Sequence, residues 1–356
     1  MKRKLILIIS ILVILIANSC KDNGVSSSSG IKTPREMTWT SITLTSPDST
    51  SSQLIPENLL AFSPTDMWLV CWCDVARGLL WHYNAEGWKE SNIFADVGGM
   101  RVNDIAGSSS YDLWAAGYSG KNIFLGHYNG SKWTREDNMG IEGELLDMCK
   151  DDEGNIWACG RNGVILKYSD NKWVADTIKI AFQSSTEYFL KSVEYYNDKI
   201  FVLASTQNTS TLIEKYYYLY GDIKNWTLAD SIVLDSPSAV IKWGYRGLYS
   251  SNFGKLYSYG LSGIWIYEEK TWSKELDVDG SINGIYGNNK KYLIGAGDFQ
   301  NIFFNDGNNW NDIKDIFSIT DVTFVFKNAW TNGYETIIIG YGTVDGLQKT
   351  IIWNGK

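Results

Sequence analysis

Three aspartates share a repeated position at which carboxylates could act together. Asp104 and Asp147 each stand ten residues before the aromatic of a Trp-x-x-Gly motif, and Asp321 is assigned to the same position by its Thr-Asp-Val context. Elsewhere in the chain this position holds Asn58, Ser192, Gly247 and Gly284. If strands that begin here surround one axis, the carboxylates converge and predict an axial Ca²⁺ site, because calcium prefers oxygen ligands. The favoured alternative is structural, since short polar side chains also bond the backbone where a strand begins. No other cofactor is expected.

Two histidines occupy a second repeated position. His82 and His127 each precede a tyrosine of the repeat, and the other copies hold Lys167, Leu219, Ile266 and Phe303 there. A position that accepts such different side chains is a packing position, and two histidines give no support to Ser-His-Asp or Cys-His chemistry. No catalytic residue is predicted, and a non-enzymatic role is favoured. The alternative is a glycan-active hydrolase or lyase that uses carboxylates at a channel mouth, because spatial pairs of carboxylates cannot be read from a sequence.

Aromatic residues outside the repeat are the candidates for stacking a ligand. The chain has 16 Trp, 21 Tyr and 13 Phe, and most of them recur at fixed positions, where bulky rings fill the space between packed sheets. The candidates that stand outside the repeat are Trp72, Trp81, Trp243, Trp265 and Trp330. We expect one or two of these rings to be exposed and the rest to lie in the core.

A repeat of tyrosine and tryptophan must position all these side chains. The pairs, five residues apart, are Tyr83 and Trp88, Tyr128 and Trp133, Tyr168 and Trp173, and Tyr267 and Trp272, while Tyr220 with Trp226 and Phe304 with Trp310 are stretched by one. The closing tryptophans recur about every 44 residues, the period of a four-stranded propeller blade. A second landmark precedes them at Trp114-x-x-Gly117, Trp157-x-x-Gly160, Tyr257-x-x-Gly260 and Tyr292-x-x-Gly295. Such sheets need neighbours on both faces, and radial stacking supplies them. The repeat predicts an all-β fold, a β-propeller.

The two ends of the repeat region predict how the ring closes. Residues 350–356 supply an aromatic and a turn but no closing tryptophan. Residues 37–44, MTWTSITL, form an alternating strand whose Trp39 has no preceding unit. Trp39 therefore counts as the seventh closing tryptophan. We expect a seven-bladed propeller over residues 37–356, with its last blade completed by the N-terminal strand.

The first 36 residues differ in composition from the rest. MKRK is followed by residues 5–17, an apolar run broken only by Ser10, which is typical of an export signal over residues 1–20. Thirteen residues span about 20 Å of helix, short of the roughly 30 Å hydrocarbon core. Ala-Asn-Ser-Cys at 17–20 resembles the bacterial lipobox, which implies a lipid anchor on Cys20. Residues 21–23 are similar to the signal that sends Bacteroidota lipoproteins to the surface of the outer membrane. Residues 21–36, rich in Ser and Gly, predict a flexible tether.

Charge and cysteine usage narrow the range of partners. The formal net charge is -8 and no block of Lys or Arg follows residue 4, so a nucleic-acid partner is not expected. The cysteines after residue 20 form no Cys-x-x-Cys pair and stand apart from the histidines, which gives no support to a zinc site. Cys149 and Cys159 flank a predicted hairpin turn, and both a disulfide and two buried thiols stay open.

The clearest copies of the repeat resemble known families. The pattern (Asp/Asn)-x-Trp-Ala-x-Gly and then Tyr-Asn-Gly-x-x-Trp, at 112–133 and 155–173, resembles the repeats of uncharacterised bacterial β-propeller lipoproteins. Residues 151–157 are similar to the propeller repeats in the sensor domains of hybrid two-component regulators. These resemblances imply the fold and leave the ligand open. We expect a monomeric, lipid-anchored propeller of the bacterial outer membrane, facing the periplasm or the surface, that binds a glycan or a protein partner.

Overall fold

The structure is a computed structural model. It describes residues 31–75, 79–137, 139–179, 186–208, 211, 213–235 and 239–356. The predicted signal peptide, the lipidation residue Cys20 and the predicted tether up to residue 30 lie outside these ranges. Within them, no helix is long and apolar enough to cross a lipid bilayer.

In the described part of the chain, 28 strands form seven four-stranded antiparallel sheets, the blades. The first strand, β1 (Trp39–Leu44), belongs to the last blade. Blade 1 contains β2 (Leu54–Ser63), β3 (Asp66–Cys73), β4 (Leu79–Asn84) and β5 (Gly87–Glu90). Blade 2 contains β6 (Arg101–Ser109), β7 (Asp112–Ser119), β8 (Asn122–Tyr128) and β9 (Trp133–Arg135). Blade 3 contains β10 (Leu145–Lys150), β11 (Ile156–Gly160), β12 (Val164–Ser169) and β13 (Lys172–Thr177).

The other four blades follow in chain order. Blade 4 contains β14 (Thr186–Tyr196), β15 (Lys199–Asn208), β16 (Glu214–Asp222) and β17 (Asn225–Leu234). Blade 5 contains β18 (Gly247–Ser250), β19 (Leu256–Gly260), β20 (Gly263–Glu268) and β21 (Thr271–Leu276). Blade 6 contains β22 (Ile282–Asn289), β23 (Tyr292–Gly297), β24 (Ile302–Asn305) and β25 (Trp310–Asp312). Blade 7 contains β26 (Val325–Thr331), β27 (Thr336–Val344), β28 (Leu347–Gly355) and β1. The short helical segments are α1 (Ile93–Val97) and the 3-10 turns Pro34–Glu36 and Lys314–Ile316.

The inner strands close a ring. Strands β2, β6, β10, β14, β18, β22 and β26 each contact the next one, and β26 contacts β2 again. In the described chain, seven clusters of buried apolar side chains lie at the junctions between neighbouring blades. At the first junction, Trp68 of blade 1 packs edge-on against Trp133 of blade 2, with ring centroids 6.0 Å apart. The seven-bladed β-propeller predicted from the repeat is confirmed.

The five-residue spacing of the repeat comes from a tight hairpin. Tyr83 lies directly opposite Trp88, and Asn84 lies opposite Gly87, which leaves a two-residue turn between the third and fourth strands of the blade. A two-residue loop sets the register of a hairpin. The paired rings then pack together, with centroids 5.2 Å apart. The repeat is therefore a cross-strand aromatic pair at the outer edge of the blade.

The N-terminal strand completes the last blade, as predicted. Strand β1 pairs antiparallel with β28, from Trp39 opposite Gly355 to Leu44 opposite Thr350. Thr38 N donates to the Lys356 carbonyl at 2.9 Å, and Lys356 N donates back at 3.1 Å. This pairing covers the edge that β28 would otherwise expose.

The chain just before β1 also contacts the propeller. Pro34–Glu36 forms a 3-10 turn at the end of the predicted tether. Arg35 makes a two-pronged ion pair with Asp315, both contacts at 2.8 Å, and Trp39 Nε1 donates to the Pro34 carbonyl at 2.8 Å. The last residues of the segment predicted to be a tether, Pro34–Glu36, therefore form a regular turn that contacts the propeller.

The disulfide left open by the sequence is not formed. Cys149 on β10 and Cys159 on β11 are both buried thiols. Their register partners are Trp157 and Asp147, so the two cysteines are not opposite each other across the hairpin.

Candidate functional site

A repeated β-bulge shapes the beginning of the inner strands. The register shifts by one residue between Val102 and Asp104, and again between Leu145 and Asp147. The corresponding shift in β26 lies between Phe326 and Asn328. The structure therefore places Asn328, rather than Asp321, at the repeated polar position of the last blade. We call the face of the ring at which the inner strands begin the upper face.

The residues that follow the bulges are joined in a chain of hydrogen bonds. Asn328 Nδ2 donates to Asn58 Oδ1 at 2.8 Å, and Asn58 Nδ2 donates to Asp104 Oδ1. The side chains of Asp104 and Asp147 are hydrogen-bonded, and Ser192 is hydrogen-bonded to Asp147. The chain thereby links blade 7 through blades 1, 2 and 3 to blade 4.

The same polar side chains also bond the backbone of the following blade. Met148 N donates to Asp104 Oδ2 at 2.7 Å, and Val193 N donates to Asp147 Oδ2 at 2.7 Å. Leu248 N donates to the Ser192 hydroxyl at 3.1 Å. A buried N–H group left without a partner costs free energy, so these contacts bind neighbouring inner strands together.

Burial controls the protonation of the axial carboxyl groups. Asp104 is 2% exposed, and burial together with the neighbouring Asp147 raises its pKa well above the usual range. Burial also raises the pKa of Asp147. On β14, burial and the charge of Asp147 raise the pKa of Glu194. A protonated Asp104 that donates to Asp147 satisfies both groups without a buried pair of negative charges.

The third predicted cation ligand lies elsewhere. Asp321 accepts hydrogen bonds from the backbone and hydroxyl of Thr323 and from the backbone of Thr343, which lower its pKa. The structure thus brings Asp104 and Asp147 together and leaves Asp321 apart. Among the described residues, no group of three or more His, Cys, Asp or Glu side chains could hold a metal ion. Calcium binding at the aspartates stays a prediction, which a rise of Tm in millimolar calcium would support.

The geometry of this pair also bears on the glycosidase alternative. Glycosidases hold their two carboxyl groups about 5 to 9.5 Å apart, so that a sugar or a water molecule fits between them. Asp104 and Asp147 are instead hydrogen-bonded to each other and to the backbone. Their arrangement joins strands and leaves no such gap.

Asp104→Asn is expected to weaken the fall of stability with rising pH. The folded protein holds the Asp104 proton more tightly than the unfolded chain does. The contribution of Asp104 to the free energy of unfolding is therefore fully present below its unfolded pKa and falls as the pH rises toward the folded pKa, by up to about 1.4 kcal/mol per pH unit. Asparagine retains an acceptor and a donor but does not titrate. Urea unfolding at a series of pH values measures the slope.

The control for this prediction is Asp321→Asn. The pKa of Asp321 is lowered in the folded protein, so its contribution is present above the unfolded pKa and is lost as the pH falls. The two substitutions should change the pH profile in opposite directions. An Asp104→Asn profile parallel to that of the unsubstituted protein would show that no proton is held there.

The two histidines belong to the packing of the blades. His82 stacks on Trp68 with ring centroids 4.3 Å apart, and His127 stacks on Trp114 at 4.4 Å. Each ring also meets an aspartate of its own blade, Asp66 at 3.0 Å for His82. These contacts agree with a packing position.

The five candidate stacking residues differ in their surroundings. Trp243 is 0% exposed, and Trp265 and Trp330 are also buried. Trp81 is partly buried against the cluster between blades 7 and 1. Trp72 is partly exposed at the end of β3, on the upper face, where it faces a cavity. Trp72 thus meets an open space beside a charged group.

That cavity lies on the upper face between blades 1 and 2. Its volume is about 350 Å³, and its walls include Trp72, Met100, Arg101 and Tyr118. The guanidinium of Arg101 lies over the Trp72 ring, 5.5 Å from the centroid. Among the described residues the guanidinium has no hydrogen-bond or ion-pair partner, and its Nε atom is buried. We call this space the Trp72–Arg101 cavity.

Two further cations of the upper face resemble Arg101 in lacking an acidic partner. Lys191 on β14 lies over the Tyr216 ring at 4.9 Å. Burial lowers its pKa, although the charge of Glu214 acts in the opposite direction. Arg246, just before β18, is exposed. Neither has a carboxylate within 4.0 Å in the described ranges. By contrast, Lys327 pairs with Glu57 at 2.9 Å.

Arg101 was not among the residues predicted from the sequence. The available signal is its position three residues before the repeated polar residue Asp104, which marks the beginning of an inner strand. That position lies next to Trp72, an aromatic outside the repeat, only after the blades are assembled.

Comparison with known proteins identifies similar folds and no related sequence family. No protein-family model matches the chain, and no curated protein matches it. A structure of YCF48 bound to D1 peptide is similar, with a TM-score of 0.59 and 13% identity over 89% of this chain and 96% of that chain. YCF48 from Cyanidioschyzon merolae gives 0.56 and 14% over 88% and 98%. The WD40 β-propeller domain of Doa1 gives 0.55 and 12% over 87% and 95%. At these identities the likeness shows a shared β-propeller fold.

Proposed function

We propose that the protein is a lipid-anchored binding module of the bacterial cell envelope that holds a protein partner on the upper face of its propeller. The observation that carries the proposal is the set of basic side chains without an acidic partner on that face, Arg101, Lys191 and Arg246. The chain is acidic, with a net charge of -8, so carboxylates are abundant, yet none lies within ion-pair distance of these three among the described residues.

The charge of these side chains indicates the chemistry of the partner. A cation whose counter-charge comes from another molecule contributes to association rate and to specificity. The proposed partner therefore presents acidic groups to the upper face. The likeness to a propeller solved with a bound peptide supports a protein as the partner. The polysaccharide alternative is decided by the same experiment.

The test uses photo-crosslinking in intact cells. A photoreactive phenylalanine replaces Tyr118 on the upper face or, in a matched protein, Tyr195 on β14, which is remote from the beginning of that strand. We expect a crosslinked protein band from position 118 and none from position 195. Equal crosslinking from both positions, or none from 118 together with retention of the protein on a polysaccharide column, contradicts the proposal.

The charge dependence is tested with a triple substitution. Arg101→Gln, Lys191→Gln and Arg246→Gln together should abolish the crosslinked band. The matched control replaces three lysines in turns at the opposite face, Lys132, Lys224 and Lys270, with glutamine and changes the net charge equally. Loss of the band in both proteins would point to net charge rather than to the upper face.

Lipidation is tested at Cys20. Because Cys20 is the cysteine of the predicted lipobox, Cys20→Ser is expected to remove all acyl mass from the protein and to move it from the membrane fraction to the soluble fraction. Intact-mass spectrometry and fractionation measure both effects. An unsubstituted protein without acyl chains would contradict the anchor.

A further inference from the structure

We propose that the Trp72–Arg101 cavity binds a carboxylate of the partner's polypeptide chain. This inference rests on the proposed function, which it makes more specific, and it assigns the ligand to one cavity. The occupant is a terminal or side-chain carboxylate together with the residue that carries it.

The first step is the state of the guanidinium. Arg101 Nε is buried, and no described residue accepts a hydrogen bond from it. The Arg101 side chain as a whole is partly exposed. Of its nitrogen atoms, Nε is the buried one, and the two Nη atoms reach solvent. The donors at the end of the side chain are therefore accessible from the cavity.

The second step is orientation. Arginine presents a planar fork of donors that matches a carboxylate with two parallel hydrogen bonds. The Trp72 ring lies 5.5 Å from the centre of the guanidinium and covers one side of it. A guanidinium that is already held in one orientation loses less conformational freedom when a ligand binds. The cavity is therefore preorganised to bind a planar carboxylate.

The third step concerns the acid that already lines the cavity. Asp74 is part of the wall, but its oxygens are occupied by another loop. Ser51 and Ser52 donate hydroxyl hydrogen bonds to Asp74 at 2.5 and 2.6 Å, and Ser52 N donates at 3.1 Å. Asp74 is thereby held at the 51–52 turn and forms no ion pair with Arg101 within 4.0 Å.

The fourth step is size. A volume of about 350 Å³ is at the small end of the roughly 300 to 1,000 Å³ of ligand pockets. It suits a single residue rather than a long segment. The side chains of Met100 and Tyr118 supply an apolar wall beside the guanidinium, so a carboxylate next to an apolar side chain fits best.

Arg161, also on the upper face, is an arginine that already has an aromatic neighbour and an acidic partner. Arg161 also lies over an aromatic ring, that of Phe189, at 4.9 Å. Unlike Arg101, it already has an acidic partner, Glu144, at 3.4 Å. Arg161→Gln is therefore the matched control for Arg101→Gln.

The binding experiment uses the full mature chain carrying Cys20→Ser, with ¹⁵N-labelled arginine. The probes are acetyl-Ala-Ala-Phe with a free carboxyl end, its C-terminal amide, acetyl-Ala-Asp-Ala-amide and tri-galacturonic acid. We expect the free acid to shift the Arg101 Nε–H resonance and the amide not to shift it. A shift with the Asp peptide alone would assign the site to acidic side chains rather than to chain ends.

The variants decide whether the cavity is responsible. Arg101→Gln and Trp72→Ala should each weaken binding of the free acid by at least about tenfold, the value of one lost charge-assisted pair. Arg101→Lys should weaken it as well, because it retains the charge but loses the fork. Arg161→Gln should leave binding unchanged. Tm values verify that each variant is folded.

Three results would overturn the inference. Equal binding of acetyl-Ala-Ala-Phe and its C-terminal amide excludes a carboxylate site. Binding of tri-galacturonic acid, with no binding of any of the three peptides, assigns the cavity to acidic sugars. The third is an in-cell crosslink that survives Arg101→Gln but is lost with Lys191→Gln and Arg246→Gln together. In that case the proposed function stands and the cavity assignment fails.

Discussion

Deletion of residues 37–44 is expected to destabilise the propeller more than any single substitution in β1. The deletion removes the outer strand of blade 7 and exposes the edge of β28, whose N–H and C=O groups would lose the pairing from Trp39–Gly355 to Leu44–Thr350. It also removes Met37 from the cluster between blades 6 and 7. Urea unfolding should show a large fall in midpoint, and the exposed edge should promote association between molecules.

Two comparisons make this prediction specific. Trp39→Ala retains the strand but removes the ring that packs against Phe317 with centroids 5.0 Å apart, and it should cost about 3 kcal/mol, the lower end for a buried tryptophan, because Trp39 is partly exposed. Deletion of residues 21–30, a predicted tether, should leave the midpoint unchanged. If the 37–44 deletion unfolds at the same urea concentration as the 21–30 deletion, β1 does not hold the ring closed.

The fold was predictable because its signal is periodic. An aromatic residue and a tryptophan on adjacent strands recur in blades 1 to 6, and the two-residue turn between the strands requires a spacing of five between opposite residues. The stretched pairs show the limit of this reasoning. Trp226 lies opposite Gly221 and Trp310 lies opposite Asn305, so the spacing is still five and the aromatic has moved one residue along its strand.

The axial position was only partly predictable, because a β-bulge leaves no mark in a single copy of the repeat. In blades 2 and 3 the spacing to the next aromatic identified Asp104 and Asp147. In blade 7 the composition around Asp321 resembled that context, but the register shift of β26 puts Asn328 there. Asn328 and Asn58 form the same kind of link as the aspartates. An amide side chain can therefore replace a carboxyl group at this position, because the role of the position is to form hydrogen bonds between blades.

The candidate cavity was the least predictable feature. Trp72 stands out in the sequence because it lies outside the repeat. Arg101 becomes notable only in the structure, because no described carboxylate lies within ion-pair distance of its guanidinium. Whether a guanidinium has an acidic partner depends on contacts between blades, as Arg161 and Glu144 illustrate on the same face. Pairing of this kind is set by tertiary packing and has no local pattern.

The glycine of the second landmark is explained by close approach of the backbone. Gly160 on β11 lies opposite Leu145, and a Cβ atom added there would overlap the carbonyl oxygen of Glu144. Gly117 has the same relation to the Arg101 carbonyl, and Gly297, rather than the predicted Gly295, is the counterpart in blade 6. In blade 4 the position is Ala204, opposite Leu190. The landmark marks where an inner strand crosses its neighbour most closely.

Gly160→Ala is expected to destabilise the propeller by about 3 kcal/mol, the top of the usual range for overpacking, because the added methyl group meets backbone rather than a movable side chain. The controls are Gly99→Ala, where a Cβ atom meets nothing within 4 Å, and Ala204→Gly, which vacates the equivalent position in blade 4. We expect the first control to be neutral and the second to cost about 1 kcal/mol through chain entropy. Urea midpoints for the three proteins decide the matter. A Gly160→Ala protein as stable as Gly99→Ala would mean that the inner strand of blade 3 moves aside freely, and that the landmark glycine is retained for a reason other than this crossing.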